Sequence, residues 1–399
     1  MEIAAPHEAR GPCAGYRVLD FSTVVSGPLC TQILGDLGAD VVKVETASGD
    51  ILRHGWSQRA GLSGYFAQFN RNKRSLVLDL KTESGTRVVH RLAHTVDVLV
   101  ENFRPGVADR LGIGYDALRA GNPGLIYVAI SGFGPDGPYA TQPAYDLLIQ
   151  GLVGIMPMQG GDGPPQMVKS LVADKCTALT AATATVAALL ARERRGGVGQ
   201  RIDVPMLDAF AAYMLPDLIP HYTFQPLDAP PAPPPDIYQT WATADGFVVG
   251  IVIEDTQFAG LCQALGREDC IGTPQFATFA DRVNHADALY EMIETELRKW
   301  STAEIIERAR RFGAPLAPVH TLDDFFADPQ VMHNRTWFEG DDPGGGRLRY
   351  VRHPTRYATT PASLQRPPPR LGEHTDAILA EVGFDASEIA ALRSAGAVA

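Results

Sequence analysis

The side chain best placed for chemistry is one acid, Asp174. The stretch before it includes a glycine and proline loop, Gly160-Gly-Asp-Gly-Pro-Pro165. The alanine-rich run from 174 to about 194 reads as one long helix, which Gly196 and Gly197 stop. A carboxylate in the first turn of a helix lies at the positive end of the backbone dipole, which favours its anion. Such an anion can serve as a nucleophile or a base. It can equally be a helix N-cap, a place Asp favours without any chemistry. Asp146 and Gln150 precede it, and their spacing puts both on one helix face. Two acids in one pocket can divide roles, one ionised and one tuned upward. Capping and surface solvation are the plain alternative.

Other motifs carry less. Gly132-Phe-Gly-Pro-Asp-Gly137 fits GxGxxG after a strand, but Pro135, Pro138 and Pro143 disrupt the helix that a dinucleotide site needs directly after it. This weakens a nicotinamide oxidoreductase reading and favours a tight loop with backbone exposed to a ligand. Asn70-Arg-Asn-Lys-Arg74, Lys81, Asn102-Phe-Arg-Pro-Gly106 and Arg110 form a basic set near strand ends. Ligands of open α/β sheets bind outside the carboxyl ends of strands, and Lys or Arg there can hold phosphates. A solvated charged surface is the alternative. The histidines show no HExxH or HxH metal pattern, and His374 reads as structural. Ser26 and Ser131 lie near glycines without a GxSxG elbow.

The elements that must position these residues follow from the pattern. The chain has 399 residues, 45% hydrophobic and 20% charged, ordinary for a globular protein of two or more domains. A net charge of -11 argues against a general nucleic-acid surface. The first 135 residues alternate strand and helix signals: strands at 17–21, 40–45, 75–80, 96–100 and 125–130, and helices from Gly27-Pro28, near 83–94 and near 107–120. Leu29, Ile33, Leu34 and Leu37 form the stripe of the first helix. This alternation predicts an α/β fold with a doubly wound, mostly parallel sheet. Asp228-Ala-Pro-Pro-Ala-Pro-Pro-Pro-Asp236 reads as an extended linker. A hairpin turning at Asp245-Gly246 and helices near 257–265, 283–299 and 302–312 make a smaller α+β block. Gly344 to Val351 is hairpin-like, and a helix ends the chain. The expected division is 1–14 disordered, 15–200 large domain, 201–236 linker region, 237–325 small domain and 326–399 returning to the large domain. Five scattered cysteines read as reduced thiols, without a disulfide framework or zinc site. Residues 1–14 lack a signal-peptide core, and the longest apolar stretch, 178–191, is too short to span a bilayer. A cytoplasmic protein is expected.

From about residue 15 onward, short segments in order and spacing resemble the class III coenzyme A transferases of the CaiB/BaiF type, the family of formyl-CoA transferase and carnitine CoA-transferase. They are Gly15-Tyr-Arg-Val-Leu-Asp-Phe-Ser22 with Ser26-Gly-Pro28, Leu37-Gly-Ala-Asp-Val-Val-Lys-Val-Glu45 with Gly49-Asp50, Asn70 to Ser75, Val100-Glu-Asn-Phe-Arg-Pro-Gly106, Ser131-Gly-Phe-Gly134, Ala144-Tyr-Asp146 and Leu371-Gly-Glu-His-Thr375. The resemblance implies a Rossmann-like large CoA-binding domain, a smaller α+β domain and an interlaced homodimer. It implies acyl-CoA and a small organic acid as substrates, with no metal, nucleic acid or membrane. Asp174 matches the covalent nucleophile, passing through an aspartyl anhydride and an aspartyl-CoA thioester, and Asp146 matches an assisting acid. Leu78, Lys81, Asn102, Phe103, Arg110, Ala144 and Tyr145 match CoA-contacting places. Val24, Val25 and Ser26 match the loop that passes the thioester.

There are departures. Val25 stands where formyl-CoA transferase has a Gln, Thr46 replaces an Arg, and the small-domain glycine loop has no counterpart. Val25 suggests a larger or less polar acyl group than formate or oxalate. The related α-methylacyl-CoA racemases need a His before the second acid, where this chain has Tyr145. A CoA-binding protein without catalysis is a further alternative.

Overall fold

The computed structural model describes residues 11–55, 57–59, 61–161, 163–226, 238–342 and 344–399. The expected linker at 228–236, Asp162 of the glycine loop and the first ten residues of the expected disordered terminus lie outside this set. Residues 11–14 form a turn, contrary to the expected disorder. Cys13 is buried, and its N–H reaches the Leu37 carbonyl at 2.8 Å.

Six parallel strands make the main sheet: β1 (Arg17–Asp20), β2 (Asp40–Glu45), β3 (Lys73–Val77), β4 (Val98–Glu101), β5 (Ile126–Ser131) and β6 (Arg201–Pro205), in the order β3-β2-β1-β4-β5-β6. The order runs outward both ways from the β1–β4 pair, so the loops after these two strands part and leave a crevice at their carboxyl ends. Alternate strand residues face opposite sides. Val18, Val98 and Val128 join a core with α1 (Ser26–Asp36) and α4 (Val172–Arg194). Leu19, Leu99 and Tyr127 join another with α2 (Glu83–Ala93) and the terminal helices α10 (Thr375–Glu381) and α11 (Ala386–Ser394). Helices on both faces explain why the strands read as apolar runs. Between them in sequence, α3 (Asp146–Leu152) precedes α4, and α5 (Met206–Leu218) follows β6.

The differences from expectation have local causes. The third strand is Lys73–Val77, not 75–80. Leu78 still bonds Glu45, but the Asp79 N–H turns to the Ala397 carbonyl at 2.9 Å. The 107–120 stretch is two short helices, Val107–Arg110 and Tyr115–Arg119, with Gly112 at φ 71° between them. Of the expected stripe, Leu34 in α1 and Leu37 just after it are buried, while Leu29 and Ile33 are only partly so. Residues 201–220 are not linker, because β6 pairs along β5 and carries α5 behind it.

The chain divides into two compact units, residues 1–220 with 333–399, and 221–332. The second unit has its own three-stranded antiparallel sheet: β7 (Thr240–Ala242), β8 (Phe247–Gly250) and β9 (Leu316–Pro318). Helices α6 (Asp255–Leu265), α7 (Phe279–Asn284), α8 (Ala286–Leu297) and α9 (Thr302–Phe312) surround a core including Trp241, Val248 and Phe258. His285, at φ -118°, breaks the expected 283–299 helix. In the first unit, β10 (Trp337–Asp341) pairs with β11 (Arg347–Val351), so the hairpin-like tail segment is its second strand.

Candidate active site

The crevice is shaped by buried charge beneath it. Lys73 meets Asp20 at 2.9 Å and Lys43 meets Asp50 at 3.0 Å, all four side chains without solvent exposure. Burial alone would raise the Asp20 carboxyl, but Lys73 and then Lys43 bring it down to about 2. This network holds the loop after β1. Lys43 Nζ donates to the Ser22 carbonyl at 2.8 Å, and Asp20 accepts the Ser22 N–H at 2.9 Å. Asn102, after β4, bonds both backbone groups of Thr23, at 2.9 and 2.8 Å. Val24 lies at φ 69°, a conformation that β-branched residues rarely adopt, and its N–H reaches Asp50 at 3.3 Å. Ser26 then opens α1. Gly27 is needed there, because a Cβ would collide with the Ser22 side chain.

Asp174 approaches from the other side. It is the third residue of α4, whose N-cap is Leu171 without a side-chain cap bond, so Asp174 is not the N-cap. It stays in the first turn, where the dipole favours an anion. The hydroxyl and backbone N–H of Ser26, at the start of α1, also favour its charged form. Burial and then the nearby Asp146 charge oppose them and raise the carboxyl to about 6. Asp146 is itself buried, and its Oδ2 accepts the Asp174 N–H at 3.0 Å. Its Oδ1 accepts from Gln150 Nε2 at 2.6 Å, so the two do share a helix face. Gln150 Oε1 accepts the Val168 N–H at 3.0 Å, tying α3 to the segment before α4. The Asp174 carboxylate is therefore mostly ionised at neutral pH, poorly hydrated and fixed in position. That combination suits a nucleophile.

The cleft in front of Asp174 has a volume of about 210 Å³. Its walls include Thr23, Val24 and Ser26 after β1, Asn102 to Pro105 after β4, Ser131 at the end of β5 with Gly132 after it, Pro143 to Tyr145, and Met206. Gly132 lets the Ala144 segment lie close, since a Cβ there would collide with Ala144. The glycine loop from 132 to 137 thus meets the cleft through its first residue, and the next described helix begins only at Asp146. Of the residues singled out from sequence, Val24, Ser26, Asn102, Phe103, Ala144, Tyr145 and Asp174 come together here, with Asp146 directly behind. Val25 and Leu78 are fully buried, and Lys81 and Arg110 are exposed outside the lining.

The basic run 71–74 is not a phosphate cradle. Arg71 pairs with Asp36 at 2.5 Å, Lys73 with Asp20, and Arg74 with Asp40 and Glu381 at 2.6 Å each. His374 is half-buried and accepts the Ser75 N–H on Nδ1 at 3.3 Å. All five cysteines are free and buried. Among the described residues no helix is long and apolar enough to cross a membrane, and no group of three or more His, Cys, Asp or Glu could hold a metal. Sequence reasoning missed Thr23 and Met206 as lining, whereas Arg104 falls in the basic set it had singled out.

The model of CoA-transferase family III matches residues 13–375. The chain belongs to that family. A family relative, the succinate–glutarate CoA-transferase of Agrobacterium fabrum, is 36% identical over 93% of this chain and 96% of its own length. The human succinyl-CoA:glutarate CoA-transferase is 32% identical over 97% of this chain and 90% of its own. The crystal structure of a CAIB/BAIF family protein from Brucella suis superposes with a TM-score of 0.81 at 35% identity, covering 94% of this chain and all of that one. Family membership accounts for the mixed α/β fold with its parallel sheet.

Proposed function

We propose that this protein transfers CoA from an acyl-CoA donor to a carboxylic acid acceptor by a ping-pong route through Asp174. The observation that carries the reading is the buried Asp174 carboxylate, which lines the cleft beside Ser26, takes hydrogen bonds from its hydroxyl and N–H, and is raised to about 6. An Asp174 oxygen attacks the donor thioester carbonyl, giving a mixed anhydride and releasing CoA thiolate. The thiolate attacks the Asp174 acyl carbon and expels the donor acid, leaving an aspartyl-CoA thioester. The acceptor carboxylate attacks that carbon and displaces CoA thiolate, forming a second anhydride. The thiolate then takes the acceptor acyl group and restores the Asp174 carboxylate. Splitting transfer into these steps keeps CoA bound as the acids exchange. Ser26 at the α1 N-terminus stabilises oxyanions formed at the Asp174 carbon, and Asp146 fixes the Asp174 backbone.

Donor and acceptor are drawn from the dicarboxylates handled by the named relatives, with succinyl-CoA as the donor and glutarate among the acceptors. The lining after β1 and β4 is the CoA wall, and the segment around Asp146 faces the acyl group. A homodimer is part of the proposal. Leu147, Leu148 and Leu152 on α3 and Leu179, Val186 and Leu190 on α4 are exposed, an apolar set that suits cover by a second copy. Light scattering after gel filtration reads the mass. Assaying succinyl-CoA with a panel of acids tests the activity. The parent is expected to form the acceptor's CoA ester, and Asp174→Ala to form none while keeping the parent's mass. Transfer retained by Asp174→Ala would sink the mechanism.

A further inference from the structure

The Asn102–Pro105 segment has an anchor that the mechanism does not use. Glu101 ends β4, and its side chain is nearly fully buried beneath the wall of the cleft. Its Oε2 accepts the Phe103 N–H at 2.7 Å. Phe103 lines the cleft, and Asn102 between them grips Thr23 through both its backbone groups. Glu101 thus anchors the wall after β4 at Phe103, and the neighbouring Asn102 ties that wall to the loop after β1. We propose that Glu101 is a positioning residue, which holds the Asn102–Pro105 wall in the shape that binds the CoA part of the substrate. This rests on the transferase reading above.

Glu101 does not face the reacting atoms. It borders a separate cavity of about 20 Å³, room for about one water and for no substrate. That cavity shares Phe103, Arg104 and Pro105 with the main cleft, so its contents bear on the same wall. The groups around Glu101 come from several elements. Tyr127 on β5 brings its buried hydroxyl up to the Glu101 carboxyl, Arg201 and Asp203 lie on β6, and Asp109 lies on the helix after the wall. Register puts Ala129 of β5 opposite Glu101, and Asp203 of β6 opposite Ala129. Burial lifts the Glu101 carboxyl to about 7. The Phe103 N–H and Arg201 oppose the rise, and Asp203 and Asp109 add to it. The carboxyl therefore changes charge near neutrality. Its anion is the stronger acceptor, since a charge-assisted hydrogen bond exceeds a neutral one. The wall is held more firmly above pH 7 than below it.

Calorimetric titration of the full chain with CoA, from pH 6 to pH 8.5, tests this without turnover. A change of about 1 kcal/mol in one hydrogen bond corresponds to about fivefold in affinity. The parent is expected to bind CoA about fivefold more weakly at pH 6 than at pH 8.5. Glu101→Gln keeps a neutral acceptor, so it should bind as the parent does at pH 6 and about fivefold more weakly than the parent at pH 8.5. Glu101→Ala should bind about fivefold or more weakly throughout, with KM for acyl-CoA raised and kcat kept. Titration of CoA itself and of Asp174 is common to all three proteins, so the ratio of parent to Glu101→Gln isolates this carboxyl. A parent-to-Gln ratio that stays constant with pH overturns the proposal, as does unchanged binding by Glu101→Ala. If Glu101→Ala does not fold, the isosteric Gln variant carries the test. A parent that binds no CoA at any pH overturns the transferase reading, and this one with it. A parent that binds CoA with a flat ratio overturns this one alone.

Discussion

Replacing Asp174 by Asn should make the protein more stable while abolishing transfer. The Asp174 carboxyl is raised from an ordinary 3.8 to about 6, first by burial and then by the Asp146 charge. A carboxyl raised this far is disfavoured as the folded-state anion by about 3 kcal/mol relative to the unfolded chain. The sign follows from the direction. Below pH 3.8 the acid is neutral in both states and nothing is lost. As pH rises from 3.8 through 6 the unfolded chain ionises first, and the folded protein loses that stability. Above 6 the loss is complete. Asn has nearly the same shape, carries no charge and can still accept from Ser26. The stability gap between Asp174→Asn and the parent should grow from about zero near pH 3 to about 3 kcal/mol at pH 8. Urea unfolding followed by fluorescence at several pH values measures it. A variant no more stable than the parent at pH 8, with its fold intact, would refute the claim that burial and Asp146 strain this carboxylate. Such a gain on removing a reactive group is the expected trade between stability and activity.

Other outcomes follow from the same geometry. The parent's transfer rate, as kcat/KM, should fall below a pH of about 6 as Asp174 protonates. Asp146→Asn removes a repelling charge, so its acid limb should move to lower pH; a limb that stays in place or moves upward contradicts the pairing. Gly132→Ala would press on Ala144, and should raise KM for acyl-CoA and cost about 1–3 kcal/mol of stability, checked by steady-state kinetics and thermal melting. Lys73→Met leaves the Asp20 charge without its partner in a fully buried site, and should cost about 3–5 kcal/mol in urea unfolding.

The sheet was legible because its strands are buried on both faces and read as apolar runs separated by helical stripes. The Asp146 and Gln150 pair was legible because four-residue spacing dictates a shared face. The start of α4 was not. Leu171, Val172 and Ala173 carry no capping signal, so the pattern offered Asp174 itself as the first marker, although the helix begins at Val172. The run Arg71 to Arg74 misled for a different reason. Sequence shows its charges but not their partners, and Asp36, Asp20, Asp40 and Glu381 lie 35, 53, 34 and 307 residues away. Residues 201–205 were set apart from the sheet because the long α4 intervenes before β6 returns to β5. The strain at Val24 has no sequence signature, since it is imposed by Asp50 and Asn102 from other loops.

The central claim is that Asp174 becomes covalently acylated. The direct measurement is peptide mass spectrometry after incubation with succinyl-CoA and no acceptor, with borohydride reduction or hydroxylamine trapping. The account predicts that residue 174 alone is converted, to the reduced alcohol with borohydride or the hydroxamate with hydroxylamine. Transfer that proceeds while the Asp174 peptide stays unmodified under both reagents would contradict it.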